Sequence, residues 1–229
     1  MSWILENLDL IGTLALEHLR QSLWAIAAGF LVSLPLGWAA WRYRALRGLV
    51  VTGTGLLYTI PSLALLMIVP VITGMSAISE ANLIVVLILY ALAIMVRCVV
   101  DGLDSVDPQT RSAATAMGFG PGRRFAAVEL PLAAPVILAG LRVTAVSTIS
   151  LATVGILIGV TNLGYLFING LQRRIIPEVL AGVLAVALIA LLIDLLLVLA
   201  GRWLMPWAAA QPLRARRDRK AAPKAAGIL

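Results

Sequence analysis

Five long runs of Leu, Ile, Val and Ala dominate the chain, at about residues 21–41, 49–73, 83–100, 133–160 and 179–203. Each supplies the roughly 20 mostly apolar residues that a helix needs to cross a hydrocarbon core about 30 Å thick. The runs are continuous, whereas barrel strands alternate lipid-facing and lumen-facing residues over about ten positions. The pattern therefore predicts an all-α membrane protein with about five transmembrane helices. The fourth run is longer than a crossing requires and should continue outside the bilayer.

Composition agrees: 61% of the 229 residues are hydrophobic, 13% are charged, and the mean hydropathy is +1.00. The distribution of basic residues then predicts an orientation, because loops rich in Lys and Arg stay inside. With the N-terminus outside, the inner segments collect Arg42, Arg44, Arg47, Arg111, Arg123, Arg124, Arg202, Arg214, Arg216, Arg217, Arg219, Lys220 and Lys224. The outer segments hold only Arg20, Arg173 and Arg174. Residues 1–20 form an extracytoplasmic or interfacial segment, 21–203 the transmembrane domain, 101–132 a cytoplasmic loop within it, and 204–229 a basic cytoplasmic tail. The start carries Glu6, Asp9 and Glu17 and no basic region, so it reads as retained rather than as a cleaved signal peptide. Placed directly after a span, the basic tail reads as an orientation signal that attracts anionic lipid, in preference to a nucleic-acid arm.

The inner loop is the main polar interruption. In "DSVDPQTRSAATAMGFG", Asp107 suits an N-cap, Pro108 the first helical position and Gly118 a left-handed terminus, which predicts a short helix over 108–117. Ala113, Ala114 and Ala116 leave its surface nearly without bulk, as if made to enter a groove in another protein. "FGPG" follows as a turn, "RRFAAVEL" has room for two helical turns, and Pro131 and Pro135 should bend or restart the chain where it re-enters the membrane. A rigid elbow between two spans results.

Within the spans, Asp194 is the one deep acid, and its expected role is an interhelical pair with Arg97 or Arg142. Pro61 should kink the second span and free carbonyls, so that Tyr58, Thr59 and Ser62 can offer polar or aromatic surface to a cation; helix packing is the competing reading. Tyr90, Asn162, Tyr165 and Asn169 are weaker pathway candidates. Asp101, Asp104 and Asp107 share a helical face, and a solvated end or pairing with Arg123 and Arg124 suits them better than a metal. His18 and Cys98 are each the only one of their kind, so neither a metal cluster nor an intrachain disulfide is expected. No glycine-rich phosphate loop ending in Lys and Ser or Thr is present, so ATP hydrolysis would belong to another chain. An intramembrane enzyme lacks a catalytic set, and a secondary transporter would more often show internal repeats and several buried ionisable groups.

These residues resemble a known family. Ser112, Ala113, Ala114, Gly118, Val128, Leu130 and Pro131 fall at the spacings of the EAA signature of ABC importer membrane subunits, with Ser112 where that family usually has glutamate. "EHLRQSL" at 17–23, "VSLPLG" at 32–37, "YTIPSLALL" at 58–66, "VRCVVDGLDSVDP" at 96–108, "ELPLAAPVILAGLR" at 129–142 and "LLID" at 191–194 look like the osmoprotectant permeases of glycine betaine, choline and carnitine import. The resemblance implies the type I ABC importer permease architecture, in a prokaryotic cytoplasmic membrane. It also implies a second permease copy or sister permease, two ATPase subunits that bind ATP-Mg, and an extracytoplasmic substrate-binding protein. Ser112, Ala113, Ala114, Met117 and Gly118 would meet the ATPase, with Arg111 and Arg123 as charged partners. "GVTNLG" at 159–164 stands where the family often has a glycine run, so another betaine-like or amino-acid-derived solute is the alternative cargo.

Overall fold

The computed structural model describes residues 2–207, in which every element is helical. The tail cations from Arg214 to Lys224 lie outside the described residues.

After a short α1 (Ser2–Glu6), α2 runs unbroken from Leu8 to Arg42. The first helix thus begins well before residue 21, where the long apolar run starts. His18, Gln21 and Ser22 are buried within it, so the polar start of the helix packs inside the bundle. At about 1.5 Å per residue the helix is roughly 50 Å long and outreaches a hydrocarbon core.

The second apolar run divides into α3 (Arg44–Thr59) and α4 (Ser62–Thr73), between which the chain bends by 115°. The expected kink at Pro61 is a full break: Ile60 (φ −70°, ψ 129°) and Pro61 (φ −58°, ψ 136°) are both extended. Proline lacks the N–H that would continue the helix and pushes its predecessor out of the helical region. Counted as one crossing, the broken pair joins four continuous apolar helices to give five spans among the described residues.

At the centre lies α5 (Glu80–Asp104), which Ser79 caps by accepting the Asn82 N–H at 3.2 Å. Two glycines bring α2 against it. A Cβ at Gly29 would lie 2.5 Å from Ala91 Cβ, and one at Gly37 would lie 2.6 Å from Val99 Cβ. Small residues let helix backbones close in a membrane, where hydrocarbon outside is as apolar as the interface.

Next come α6 (Pro108–Ala116), α7 (Pro121–Arg124), one π turn (Phe125–Glu129) and α8 (Leu130–Ala152). The caps are those the residues predict: Asp107 accepts the Gln109 N–H at 2.8 Å, and Gly118 is left-handed at φ 83°. The expected restart at Pro131 does not occur, and Pro121–Ile158 is one apolar span. Leu130 N–H reaches back to Phe125 in the π turn, and Pro131 falls in the first turn of α8, where a missing N–H costs least. Pro135 sits inside α8 without interrupting it. α8 then tightens into a 3₁₀ turn (Thr153–Ile158) that ends at left-handed Gly159, φ 83°. α9 (Gly164–Gln172) and α10 (Ile176–Leu204) close the bundle.

Candidate functional site

The break at Pro61 opens a cavity of about 780 Å³ between α3, α4, α5 and α8. Four expected pathway residues of the second span, Tyr58, Thr59, Pro61 and Ser62, line it together with Tyr90. Tyr90, 6% exposed, donates its hydroxyl hydrogen to the carbonyl of Ile60, which the break leaves without a helical partner. Tyr58, 53% exposed, stands edge-on to Tyr90, with ring centroids 5.9 Å apart and an interplanar angle of 75°. The opposite wall is one that the sequence reading missed: Ser147, Thr148 and Ser150 of α8 and Thr153 of the 3₁₀ turn. Their signal was present as "STISLAT", a hydroxyl-rich stretch within an apolar helix. Among the described residues, no Asp, Glu, Lys, Arg or His lines the cavity. Its walls are aromatic faces, hydroxyls and aliphatic groups.

Beyond this wall, Asn162 does not reach the cavity. It is fully buried, donates to Gln21 Oε1 at 3.0 Å and to the Ala152 carbonyl at 2.8 Å, and accepts the Gly164 N–H at 2.8 Å. Gln21 also donates to the Thr161 carbonyl at 3.2 Å, and His18 Nε2 pairs with the Ile149 carbonyl at 2.9 Å. Side chains thus replace the expected glycine run in bracing the 3₁₀ turn and its following loop against α2. Asn169 is likewise structural, donating to Glu178 at 2.6 Å, and Tyr165 packs beside buried Leu14, Leu163 and Leu166. Asp194 takes the expected partner on α8: Arg142 donates to both its oxygens, at 2.6 and 2.8 Å. Arg97 does not join it and lies 3.9 Å from Asp101.

At the elbow, one acid organises the charges. Glu129, 1% exposed, accepts from Arg124 Nε at 2.9 Å and lies 3.8 Å from Arg111 Nε. Arg124 also donates to Thr115 Oγ at 2.8 Å, which ties α6 to the π turn. Arg111, expected to face a partner, turns inward: it donates to the Leu103 carbonyl and stacks 4.8 Å from the Trp41 ring centroid. Ala114 is buried beneath α6, whereas Ser112, Ala113, Ala116, Met117 and Gly118 are exposed. Ser112 donates to the Pro108 carbonyl at 3.0 Å, so its hydroxyl is satisfied within its own helix. Arg123 lies over Phe119 at 4.8 Å and stays exposed, and Leu130 and Pro131 carry the elbow into α8. Among the described residues, Asp101, Asp104 and Asp107 do not pair with Arg123 or Arg124; Asp104 binds Arg47 at 2.5 Å, and Asp107 serves as the cap of α6.

Comparison with known proteins places this arrangement. Residues 18–209 match the family model described as binding-protein-dependent transport system inner membrane component. The osmoprotectant import permease protein OsmW of Salmonella typhimurium is 32% identical over 197 residues, covering 85% of this chain and 92% of that protein. The choline transport system permease protein OpuBB of Bacillus subtilis is 34% identical over 191 residues, covering 83% and 86%. An inward-facing structure of the MetNI methionine ABC transporter shares the fold with a TM-score of 0.68 at 22% identity, over 87% of this chain and 96% of that one. The chain therefore belongs to the binding-protein-dependent inner membrane components: it is a multi-pass permease subunit of an ABC importer, a family that works with an ATPase and a substrate-binding protein.

Proposed function

We propose that the chain carries a quaternary-amine osmoprotectant such as glycine betaine, choline or carnitine through the cavity at the Pro61 break. The observation that carries this reading is the lining: two tyrosine rings and a row of hydroxyls, with no carboxylate. A primary ammonium entering such a site would lack a charged acceptor for its N–H groups. A trimethylammonium has no N–H to satisfy, and its charge, spread over methyl groups, is attracted by aromatic faces. The relatives' names, osmoprotectant import and choline transport, agree with this chemistry.

In this reading the permease itself is not an enzyme and needs no cofactor; ATP-Mg is held by the ATPase subunits. Two ATPases, a second permease copy or sister permease, and one extracytoplasmic binding protein complete the assembly. The N-terminus faces outside and the C-terminus inside. Two contacts support a single basic end for the elbow and the α2–α3 junction: Arg47 with Asp104, and Arg111 with Trp41. The exposed small face of α6, with Ser112, Ala113, Met117 and Gly118, enters a groove on the ATPase, and Arg123 flanks it. Membrane lipid surrounds the bundle, and nucleic acid has no part.

Uptake of labelled glycine betaine and choline by the reconstituted importer tests the cargo. Tyr58→Phe keeps the ring and should transport normally, whereas Tyr58→Leu should lose about 1 kcal/mol of cation attraction, roughly fivefold in uptake at low solute. Equal uptake by both variants would refute the role of the ring.

A further inference from the structure

Beside the elbow lies a second depression, about 400 Å³ in volume. Leu34, Pro35 and Trp38 of α2, Val99 and Leu103 of α5, and Phe125 of the π turn wall it. The volume is in the range of ligand pockets, about 300–1,000 Å³. Among the described residues, no charged or carboxamide side chain lines it, so it suits hydrocarbon rather than the transported solute.

Its depth follows from helix geometry. Leu34 and Trp38 lie eight and four residues before Arg42, the end of α2, or about 12 and 6 Å at roughly 1.5 Å per residue. Val99 and Leu103 occupy the corresponding last turns of α5, which ends at Asp104. The groove therefore lies among the last turns of both helices, at the end of the bundle where α2 finishes in Arg42. A continuous row of rings leads from it to a cation. Phe125 meets Trp38 edge-on at 5.7 Å, Trp38 meets Tyr43 at 6.5 Å, and Arg42 lies 6.0 Å from the Tyr43 ring centroid. Arg47 and Arg111 nearby are engaged with Asp104 and Glu129. Among the described residues, Arg42 and Arg44 have no carboxylate partner, and both are exposed.

An apolar slot at a bundle end, with Arg42 at the end of its ring row and Arg44 two residues further along the chain, is complementary to one kind of molecule. We propose that the groove holds an acyl chain of an anionic phospholipid whose phosphate is met by Arg42 and Arg44. Phe125 directly follows Arg124, the residue that clamps Glu129 and Thr115. A chain packed against Phe125 therefore braces the elbow on α2 and α5, and the lipid becomes part of the coupling element.

The test uses the assembled importer in nanodiscs containing phosphatidylglycerol with a photoactivatable group in its acyl chain, or phosphatidylcholine with the same chain. Adducts are mapped by mass spectrometry. Phosphatidylglycerol adducts should concentrate on peptides spanning 34–38 and 125–130. Arg42→Gln and Arg44→Gln should each reduce them roughly fivefold, the effect of one basic residue near an anionic surface. Both arginines are exposed, so folding is not at stake. Leu34→Trp, which fills the slot, should remove these adducts while leaving labelling elsewhere intact. Equal labelling by the two lipids, or phosphatidylglycerol labelling indifferent to both arginine variants, would overturn the proposal. So would crosslinks from the groove to a second copy of this chain in place of lipid.

Discussion

Replacing Glu129 should loosen α6 without unfolding the spans. α6 has nine residues, fewer than the roughly 12–15 at which an isolated helix becomes even marginally stable in water. Its persistence therefore depends on tertiary ties, and the chain Glu129–Arg124–Thr115 is the main polar one. A charge-assisted hydrogen bond contributes about 1.5–3 kcal/mol. Breaking a fully buried pair costs about 3–5 kcal/mol, but the Arg124 and Arg111 side chains are 27% and 22% exposed and water can partly solvate them. A figure at or below the bottom of that span, about 2–3 kcal/mol, within the range of a charge-assisted hydrogen bond, is expected for Glu129→Ala. If opening of α6 governs its amide exchange, protection over residues 108–117 should fall roughly 30- to 150-fold, at about 1.4 kcal/mol per decade. Glu129→Gln keeps an acceptor for Arg124 and loses the charge, so its exchange should lie between alanine and wild type. Hydrogen exchange read by mass spectrometry on the importer in nanodiscs measures this directly. Exchange in Glu129→Ala within twofold of wild type would refute the clamp.

Two further outcomes follow from buried polar contacts. Asn162→Leu removes three hydrogen bonds, at about 1 kcal/mol each, and strands the Gly164 N–H, so exchange over residues 159–166 should rise more than tenfold. Gln21→Leu should give a smaller rise, and the double variant should fall short of the sum, because the two side chains share a bond. Arg142→Asp or Asp194→Arg alone should lower the amount of permease recovered from the membrane, while the exchanged pair should restore much of it. Recovery of the double variant no better than either single would show that the pair does not hold α8 to α10.

The features legible in the sequence are those set by neighbours along the chain. Asp107, Pro108 and Gly118 specify the bounds of α6 because capping is local, and Pro61 announces the break for the same reason. Pro131 misled because its effect depends on what precedes it: a π turn absorbed the discontinuity that an α-helix would have suffered. The knot around Asn162 was hidden because Gln21 is 141 positions away. A signal existed nonetheless. On α2 the buried positions include His18, Gln21, Ser22, Ala25, Gly29, Ser33, Gly37 and Ala40, a stripe of small and polar residues at helical spacing. In a membrane that stripe, and not the aliphatic face, marks the packed side. Glu129 stood out equally, as a lone acid entering an apolar run, and its partners became visible only once the elbow was folded.

In the proposed assembly the ATPase grips this permease through α6. Ala113 is exposed on α6, so Ala113→Trp adds bulk to the proposed contact face at a position outside the buried core. The decisive measurement is the amount of ATPase that copurifies with this variant, normalised to permease and compared with wild type. Loss of most of the ATPase, with normal recovery of the permease, is the expected result. Full retention of the ATPase would contradict the account.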